Sequence, residues 1–470
     1  MDSSQDTSIF VQIASYRDPE LIPTLIDLID KTTHPRRLRI VVCWQHGPGE
    51  KLGDFWARGF GKWRTESWRG WTVHLLENSG ASIELIDVPH MQTRGACWAR
   101  HLLQQRYGGE RYTLQLDSHH RFIEGWNEAA IVMLESLRDE SPKPVLTTYL
   151  PFYNPEHGQA DYTRPPGIMV FLRFTPEGVV LFDAKDLPDW KNHDRPIPAR
   201  FYSAHFAFAD GHFAETVQHD PDFFFHGEEI SIGVRAFTHG YDLYHPHRVL
   251  AFHEYTRRHR VKMWDDHTHA AKEKGDIVQD WWDIDRSAMQ RHRALLGIDG
   301  QPLGNDFGQY GLGTERGLAD FETYAGLSFA HRGVQAATLD HQYPVRNTRR
   351  PPCEADWLAT MVRSNSVRVC IHQDAFESPT VPAGDEPLLD RAKTVQVTFY
   401  DAVGAALHGR TLKAQTLARW RADGWLDATV SFTSPLGQAA TRYLLELRDE
   451  EGNVLASNEQ SIPEMLPLNP

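Results

Sequence analysis

The sequence predicts an α/β protein built on a mostly parallel sheet with flanking helices, followed by a small β-sandwich-like part. Three observations predict it. Through about residue 150, short apolar strand runs alternate with amphipathic helical runs, the pattern that lays strands parallel with helices on both faces. Beyond about residue 367, short segments alternate apolar with polar residues and are broken by turn residues, as in a sandwich. Between these parts, residues 331–366 are rich in Arg, Pro and Asn, with NTRRPP at their centre, and read as a linker.

Taken in order, IFVQIASY (Ile9–Tyr16) is apolar and β-branched and reads as the first strand. Asp18 is placed to cap a helix with Pro19 at its first position, and Leu21, Leu25, Leu28 and Ile29 supply the apolar stripe. LRIVVCW is a second strand, apolar throughout as in a buried parallel sheet. A Trp-, Gly- and Lys/Arg-rich insertion follows, residues 45–80, then a third strand, IELIDV. TRGACWARHLLQQRY spaces Ala96, Ala99, Leu102 and Leu103 as a helix, and YTLQL is the fourth strand. WNEAAIVMLESL and PVLTTYL continue the alternation.

After Pro151 the pattern changes. IMVFLRFTPEGVVLF reads as a hairpin turning at Pro176-Glu177-Gly178, RFYSAHFAFAD as a strand, and GEEISIGVRAFTHGY as a helix stopped by Gly240. LYHP and VLAFHEYTRR run extended. Beyond the linker, VRVCIHQ, TVQVTFYD, ATVSFTS and RYLLELRDEEGNVLAS supply the short strands, with a turn at Glu451-Gly452-Asn453. The domain reading is therefore 1–330, with halves at about 9–150 and 151–330, then the linker, then 367–470.

Composition narrows the function. With 49 basic and 63 acidic residues the formal net charge is -14, which argues against a nucleic-acid binder with a basic face. The first apolar run is strand-length, and no stretch approaches the ~18–20 apolar residues of a membrane span. The four cysteines, Cys43, Cys97, Cys353 and Cys370, are scattered and read as buried free thiols, which fits a reducing cytoplasm.

The chemistry concentrates at YTLQLDSHHRF, Tyr112 to Phe122. In an open parallel sheet, ligands bind at the carboxyl ends of the strands. Residues two apart on an extended backbone face the same way, so Asp117 and His119 can converge on one point. A carboxylate oxygen and an imidazole nitrogen suit Mn²⁺ or another borderline divalent ion. His253, closing the apolar run of AFHEYTRRHR, is the candidate third ligand. In such a site the ion acts as a Lewis acid on a departing diphosphate. The plainer reading is a polar strand end, since the chain holds 25 histidines and D-x-H alone is a short motif. The remaining histidines of this region, His120, His205, His226, His245 and His247, are assigned to packing or surface.

Six separated motifs carry the reading further: IFVQIASYRDPEL, GACWARHLLQQRY, LQLDSHHRFIEGW, FFFHGEEISIGVRAFTHGYDLYHP, FHEYTR and YGLGTERGLADFETYAGLSF. In order and spacing they resemble the cytoplasmic polypeptide α-N-acetylglucosaminyltransferases that modify hydroxyproline, together with their bacterial relatives. The resemblance runs from about Ile9 to Phe329. It does not cover the part from about Val367, nor clearly the Trp-rich insertion. It implies a GT-A fold, a divalent metal (Mn²⁺ ahead of Mg²⁺), UDP-GlcNAc as donor, retention of the anomeric configuration and a hydroxyl acceptor on a protein or a saccharide.

Carried over by position, Asp117 and His119 match the family's metal motif, a D-x-H variant of D-x-D, and His253 its later metal histidine. Ser15, Tyr16 and Arg17 follow the first strand, where such folds seat the nucleotide, although for Asp18 the helix cap is preferred. Arg94, beside Gly95 at a helix start, suits phosphate, as helix N-termini and arginine both do; a solvated helix start reads it equally well. Ser118 is placed with the donor contacts, and Tyr255, Arg257 and Arg258 as a lid strand over the diphosphate. Glu228 and Glu229 open a helix after the apolar FFF and are the candidate catalytic carboxylates. Two acids in a first helical turn also complement its dipole, and consecutive residues cannot both face a site, so one of the pair is structural. Three other readings stay open: a metal-dependent phosphohydrolase, a carbohydrate-binding protein working through its C-terminal part, and a transferase of another UDP-sugar.

Overall fold

The computed structural model describes residues 6–157, 161–256, 260–300, 307–376 and 388–462. Its first part is organised by strands whose apolar runs are buried on both faces. In chain order these are β1 (Ile9–Tyr16), β2 (Leu38–His46), β3 (Gly61–Trp68), β4 (Trp71–Asn78), β5 (Ala81–Pro89), β6 (Tyr112–Asp117), β7 (His120–Phe122) and β8 (Pro144–Thr147). They continue with β9 (Gly167–Phe174), β10 (Val180–Asp186), β11 (Ile197–Pro198), β12 (Phe206–Asp210), β13 (Asp242–His245) and β14 (Ala251–His253). Ten of them form one sheet in the order β11-β13-β8-β12-β6-β1-β2-β5-β4-β3. Its centre, β6-β1-β2-β5, is parallel, as expected from the continuous apolar runs, and antiparallel strands extend both edges.

Helices cover both faces. Leu21–Asp30 buries the predicted stripe of Leu21, Leu25, Leu28 and Ile29, each worth roughly 1.5–3 kcal/mol of hydrophobic stabilisation. Ala96–Gln104 buries Ala99, Leu102 and Leu103, and with them the cation of Arg100. Such a group needs a specific partner, and that partner turns out to organise the site.

The insertion is a hairpin. Strands β3 and β4 pair antiparallel and extend the sheet through β5. The two connections are two-residue turns with both residues in the left-handed region, Arg69-Gly70 (φ 49° and 86°) and Ser79-Gly80 (φ 52° and 91°). That is the geometry that matches the twist of paired strands.

The linker segment, 331–366, also carries regular structure. Strand β16 (Gly333–Gln335) pairs with β15 (Leu327–Ser328), and short helices span Ala336–Leu339 and Glu354–Ala359. Buried Val334 and Trp357 anchor them, apolar residues that the Arg/Pro/Asn composition obscured. Strand β17 (Met361–His372) then pairs with β16 through its first residues and with β20 (Trp425–Pro435) along its whole length.

Beyond it lie the added antiparallel sheets. Strands β18 (Thr394–Tyr400), β19 (Ala406–Thr411), β21 (Arg442–Arg448) and β22 (Val454–Ser461) form the order β19-β18-β21-β22. This sheet and the β17–β20 pair enclose a core of their own, including Val369, Val397, Phe399, Val430 and Leu445. A helix not expected from the sequence, Ala414–Asp423, buries Leu417 and Trp420 against that core. The four cysteines are free; Cys43 and Cys97 are buried as expected, whereas Cys353 and Cys370 are exposed. Among the described residues no helix is long and apolar enough to cross a membrane.

Candidate active site

At the carboxyl edge of β1, β2 and β6 lies a cleft of about 260 Å³, lined by Ala14, Tyr16, Gln45, Asp117, Ser118 and His119 from those strand ends. Strand β6 ends at Asp117, so the D-x-H is not one extended run as the alternation argument assumed. The turn at Ser118 and His119 is instead fixed by Thr24 of the first helix. Its hydroxyl donates to the Ser118 carbonyl (2.9 Å) and accepts from the His120 N–H (2.9 Å). Strand β7 then pairs with β14 so that His120 stands opposite His253. Backbone bonds from His253 N–H to Pro151 O (2.9 Å) and from Tyr153 N–H to His253 O (3.1 Å) hold the other edge.

These constraints bring the three predicted ligands together. Asp117 Oδ2 lies 3.6 Å from His119 Nε2 and 3.5 Å from His253 Nε2. One ligand atom from each of the three falls within 4.8 Å of the others. Asp18 sits behind His119, accepting its Nδ1–H at 2.8 Å, which leaves the Nε2 lone pair facing the site. Orienting a histidine through its far nitrogen in this way is the usual support of a metal ligand. Burial pushes the His253 ring well below the ordinary histidine range and keeps it neutral. Both of its buried ring nitrogens lack a hydrogen-bond partner. A neutral imidazole whose Nε2 lies 3.5 Å from a carboxylate, beside a second imidazole, makes a fitting donor set for a divalent ion. Arg260 Nη1 lies 2.7 Å from His119 Nε2, so in this conformation a guanidinium occupies that lone pair.

Asp117 and Glu228 are the partners that the buried Arg100 required. Its Nη2 donates to Asp117 Oδ1 at 2.6 Å, while Nη1 donates to Glu228 Oε1. Glu228 in turn faces His219 Nδ1 at 3.0 Å, and His219 Nε2 donates to Gln115 (2.7 Å). Burial raises the Asp117 carboxyl, but Arg100 and His253 outweigh it and hold the group well below the usual carboxylate range. Burial likewise raises Glu228, and Arg100 and His219 outweigh it. Asp117 therefore stays ionised, one oxygen clamped and the other aimed at the histidines.

Glu228 and Glu229 separate as consecutive helical residues must. Glu228 is the buried member, turned into the ion-pair chain behind Asp117. Glu229 is half-buried; its Oε2 accepts from the Tyr149 hydroxyl (2.6 Å) and its Oε1 from the Ala204 N–H (2.9 Å). Burial is the main cause that raises its pKa, to about 7. Tyr149 stacks on His205 (ring centroids 5.0 Å), and His205 on His253 (4.1 Å). His205 and His120, assigned to packing from the sequence, thus pack directly against His253.

The predicted donor residues divide. Tyr16 lines the cleft and donates to Asp266 Oδ2 (2.7 Å); Tyr255 lines it and donates to the Leu150 carbonyl (2.8 Å). Ser118 lines it too, with its hydroxyl given to Asp18 (2.7 Å). Strand alternation turns the Ser15 side chain away into a buried position, and Arg17 is held by Asp266 (2.7 Å). Arg94 is exposed and pairs with Asp222 at 3.0 Å, away from the cleft, although its neighbour Gly95 lines it. Gly95 has φ 115° and lies so close to Phe224 that a Cβ would stand 2.6 Å from that ring. Arg257 and Arg258 fall outside the described residues; Arg260 and Lys262 are cations that line the cleft nearby.

The chain shares 13% identity with GalNAc-T7, solved with UDP, GalNAc and Mn²⁺, at a TM-score of 0.42 over 68% of this chain and 56% of that one. With residues 1–349 of S. aureus TarS, solved with UDP-GlcNAc, it shares 11% identity at a TM-score of 0.34, over 61% of this chain and 66% of that one. The chain thus spans less than two thirds of the length of either. No curated protein sequence matches it. The family model described as glycosyltransferase (GlcNAc) matches residues 8–56 and 61–331, which takes in every cleft-lining residue named above. The chain belongs to the glycosyltransferase (GlcNAc) family.

Proposed function

We propose that the chain is a GT-A-type, divalent-metal-dependent glycosyltransferase that moves N-acetylglucosamine from UDP-GlcNAc to a hydroxyl acceptor with retention, its catalytic part being residues 1–330. The convergence of Asp117, His119 and His253 at the carboxyl edge of the parallel strands carries this reading. These three residues would hold the ion, with Mn²⁺ favoured over Mg²⁺ by two imidazole ligands. When bound, it supplies Lewis-acid neutralisation of the charge that builds on a departing diphosphate.

The remaining roles belong to the chain's own side chains. Tyr16 and Gln45, at the ends of β1 and β2, border the nucleotide. Arg260 and Lys262, with the helix N-terminus at Gly95 and Ala96, offer positive charge to phosphate. Asp18 and Arg100 orient the metal ligands and exclude water from behind them. Glu229 accepts the acceptor hydroxyl's hydrogen bond or stabilises positive charge on the sugar. In same-face attack the acceptor proton passes to the leaving diphosphate, so no covalent sugar–enzyme bond is needed.

The direct test is donor hydrolysis with Mn²⁺, in which UDP-GlcNAc is consumed faster than UDP-glucose or UDP-galactose. Faster turnover of either competitor overturns the sugar assignment, and no UDP release from any donor overturns the function. A second test reads Glu229. Its folded pKa, about 7, lies above the reference value of 4.5, so the ionised fraction rises through neutrality and turnover climbs with it from pH 6 to pH 8. Glu229→Gln lowers turnover by about 10²-fold, leaves donor affinity nearly unchanged and flattens that rise. Stability runs the opposite way. Between pH 4.5 and about 7 the folded chain binds the extra proton, so the contribution of Glu229 is lost as pH rises through that window. A Gln variant with parental turnover and the parental pH limb removes Glu229 from the chemistry.

A further inference from the structure

The cleft does not end at its ion-binding floor. Phe225 and Trp264 wall one side, ring centroids 5.7 Å apart, and belong to an apolar cluster that also takes in Phe224, Met263, Trp281 and Ile284. The segment carrying Trp264 and the helix Trp281–Leu296 are joined by a backbone bond from Trp281 N–H to His267 O (3.0 Å). Trp282 stacks on Trp281 with centroids 4.3 Å apart and planes 26° from parallel, yet remains 57% exposed. An aromatic surface therefore runs from inside the cleft to solvent.

Asp285 stands on the same helical face, four residues from Trp281 and three from Trp282, the spacings at which side chains are neighbours. It is half-buried and engages no hydrogen bond or ion pair among the described residues, and burial raises its pKa. Nearby acids on other faces and elements are committed: Asp283 to Lys272, Asp280 to His269 (3.2 Å), Asp266 to Arg17 (2.7 Å). A half-buried carboxylate with free acceptor oxygens, near His226 and on the helix that carries two flat rings, matches one ligand chemistry. The rings suit the C–H face of a pyranose, and the carboxylate accepts hydrogen bonds from its hydroxyls.

We propose that Trp281, Trp282 and Asp285 form an acceptor subsite that extends the cleft beyond Trp264 and that the acceptor is a saccharide chain. The assignment of the subsite to an acceptor rests on the transferase reading above. The experiment is saturation-transfer NMR on the full chain without donor, using maltotriose, cellotriose and chitotriose, beside a hydroxyproline-containing peptide. At least one trisaccharide binds in the millimolar range. Trp282→Ala and Asp285→Asn each weaken that binding about tenfold, with unchanged circular dichroism and melting temperature. The proposal is overturned if no trisaccharide binds, if binding ignores both substitutions, or if only the peptide binds this face. Because no donor is present, saccharide binding and UDP-GlcNAc hydrolysis fail independently.

Discussion

Asp117→Ala abolishes measurable Mn²⁺-dependent UDP binding while the chain still folds. Asp117 supplies the only carboxylate of the donor set, so its loss removes both a ligand atom and the negative charge that faces the two imidazoles. Removing a residue that merely supports a ligand typically costs 10–100-fold in metal affinity; losing the anionic ligand itself should exceed about 100-fold. His253→Ala should act in the same direction, since its neutral ring has no other partner. Calorimetric titration of UDP in the presence and absence of Mn²⁺ separates this from a general loss of nucleotide affinity. The metal-free binding should be the same in parent and variants. Unchanged UDP·Mn²⁺ affinity in both variants would show that the three residues do not hold an ion.

The second large effect belongs to a buried residue that positions Asp117. Arg100→Ala strands two carboxylates: Glu228, buried, and Asp117, whose Oδ1 loses its clamp. Breaking a buried ion pair by deleting one partner costs ~3–5 kcal/mol, because the remaining charge is left without compensation. The variant should therefore melt at a markedly lower temperature and bind Mn²⁺ more weakly, by about 10–100-fold as an orienting residue does. Adding Glu228→Gln to Arg100→Ala should recover part of the lost stability, since the neutral amide needs no counter-ion, but not the metal affinity. Thermal unfolding of the two variants and the double variant reads the coupling. Additive losses, with no recovery, would mean that Arg100 and Glu228 do not act as a pair.

The site was legible in the sequence only where it is local. Asp117 and His119 lie two residues apart at the end of an apolar run, and His253 closes another, which made them candidates. The strand-alternation argument for the first two does not hold, because the strand ends at Asp117 and a turn places His119. Arg100 appears in the sequence as an ordinary polar position of an amphipathic helix. Nothing nearby signals that it bridges a strand end and a helix start more than a hundred residues further on. Asp18 carries a local signal, the helix cap. The helix instead begins at Leu21 with Glu20 as its N-cap and no side-chain cap, so Pro19 is not its first residue. Asp18 accepts the Glu20 N–H (2.9 Å) in the turn before it. Its second oxygen does the longer-range work, and a cap motif does not disclose that. Ser15 and Arg94 show the opposite error, because a residue adjacent to a site in sequence need not point into it. The insertion was legible in principle, since WRGW and NSGA each place a two-residue turn between strand residues. Its density of tryptophan and cations masked the alternation.

The strand Met361–His372 has a consequence for how the molecule comes apart. Its first residues pair with Gly333–Gln335, beside the core that includes Val334, while its later residues supply Val367, Val369 and Ile371 to the C-terminal core. A single run of twelve residues thus belongs to two cores at once. Its hydrogen-bond ladder to Trp425–Pro435 is unbroken from end to end. Melting either core frays the same ladder, so the free energies of the two halves are not separable quantities. Heating would register their unfolding as one cooperative event, and a protease cut at residue 366 would not release an independent C-terminal piece but split a shared beam.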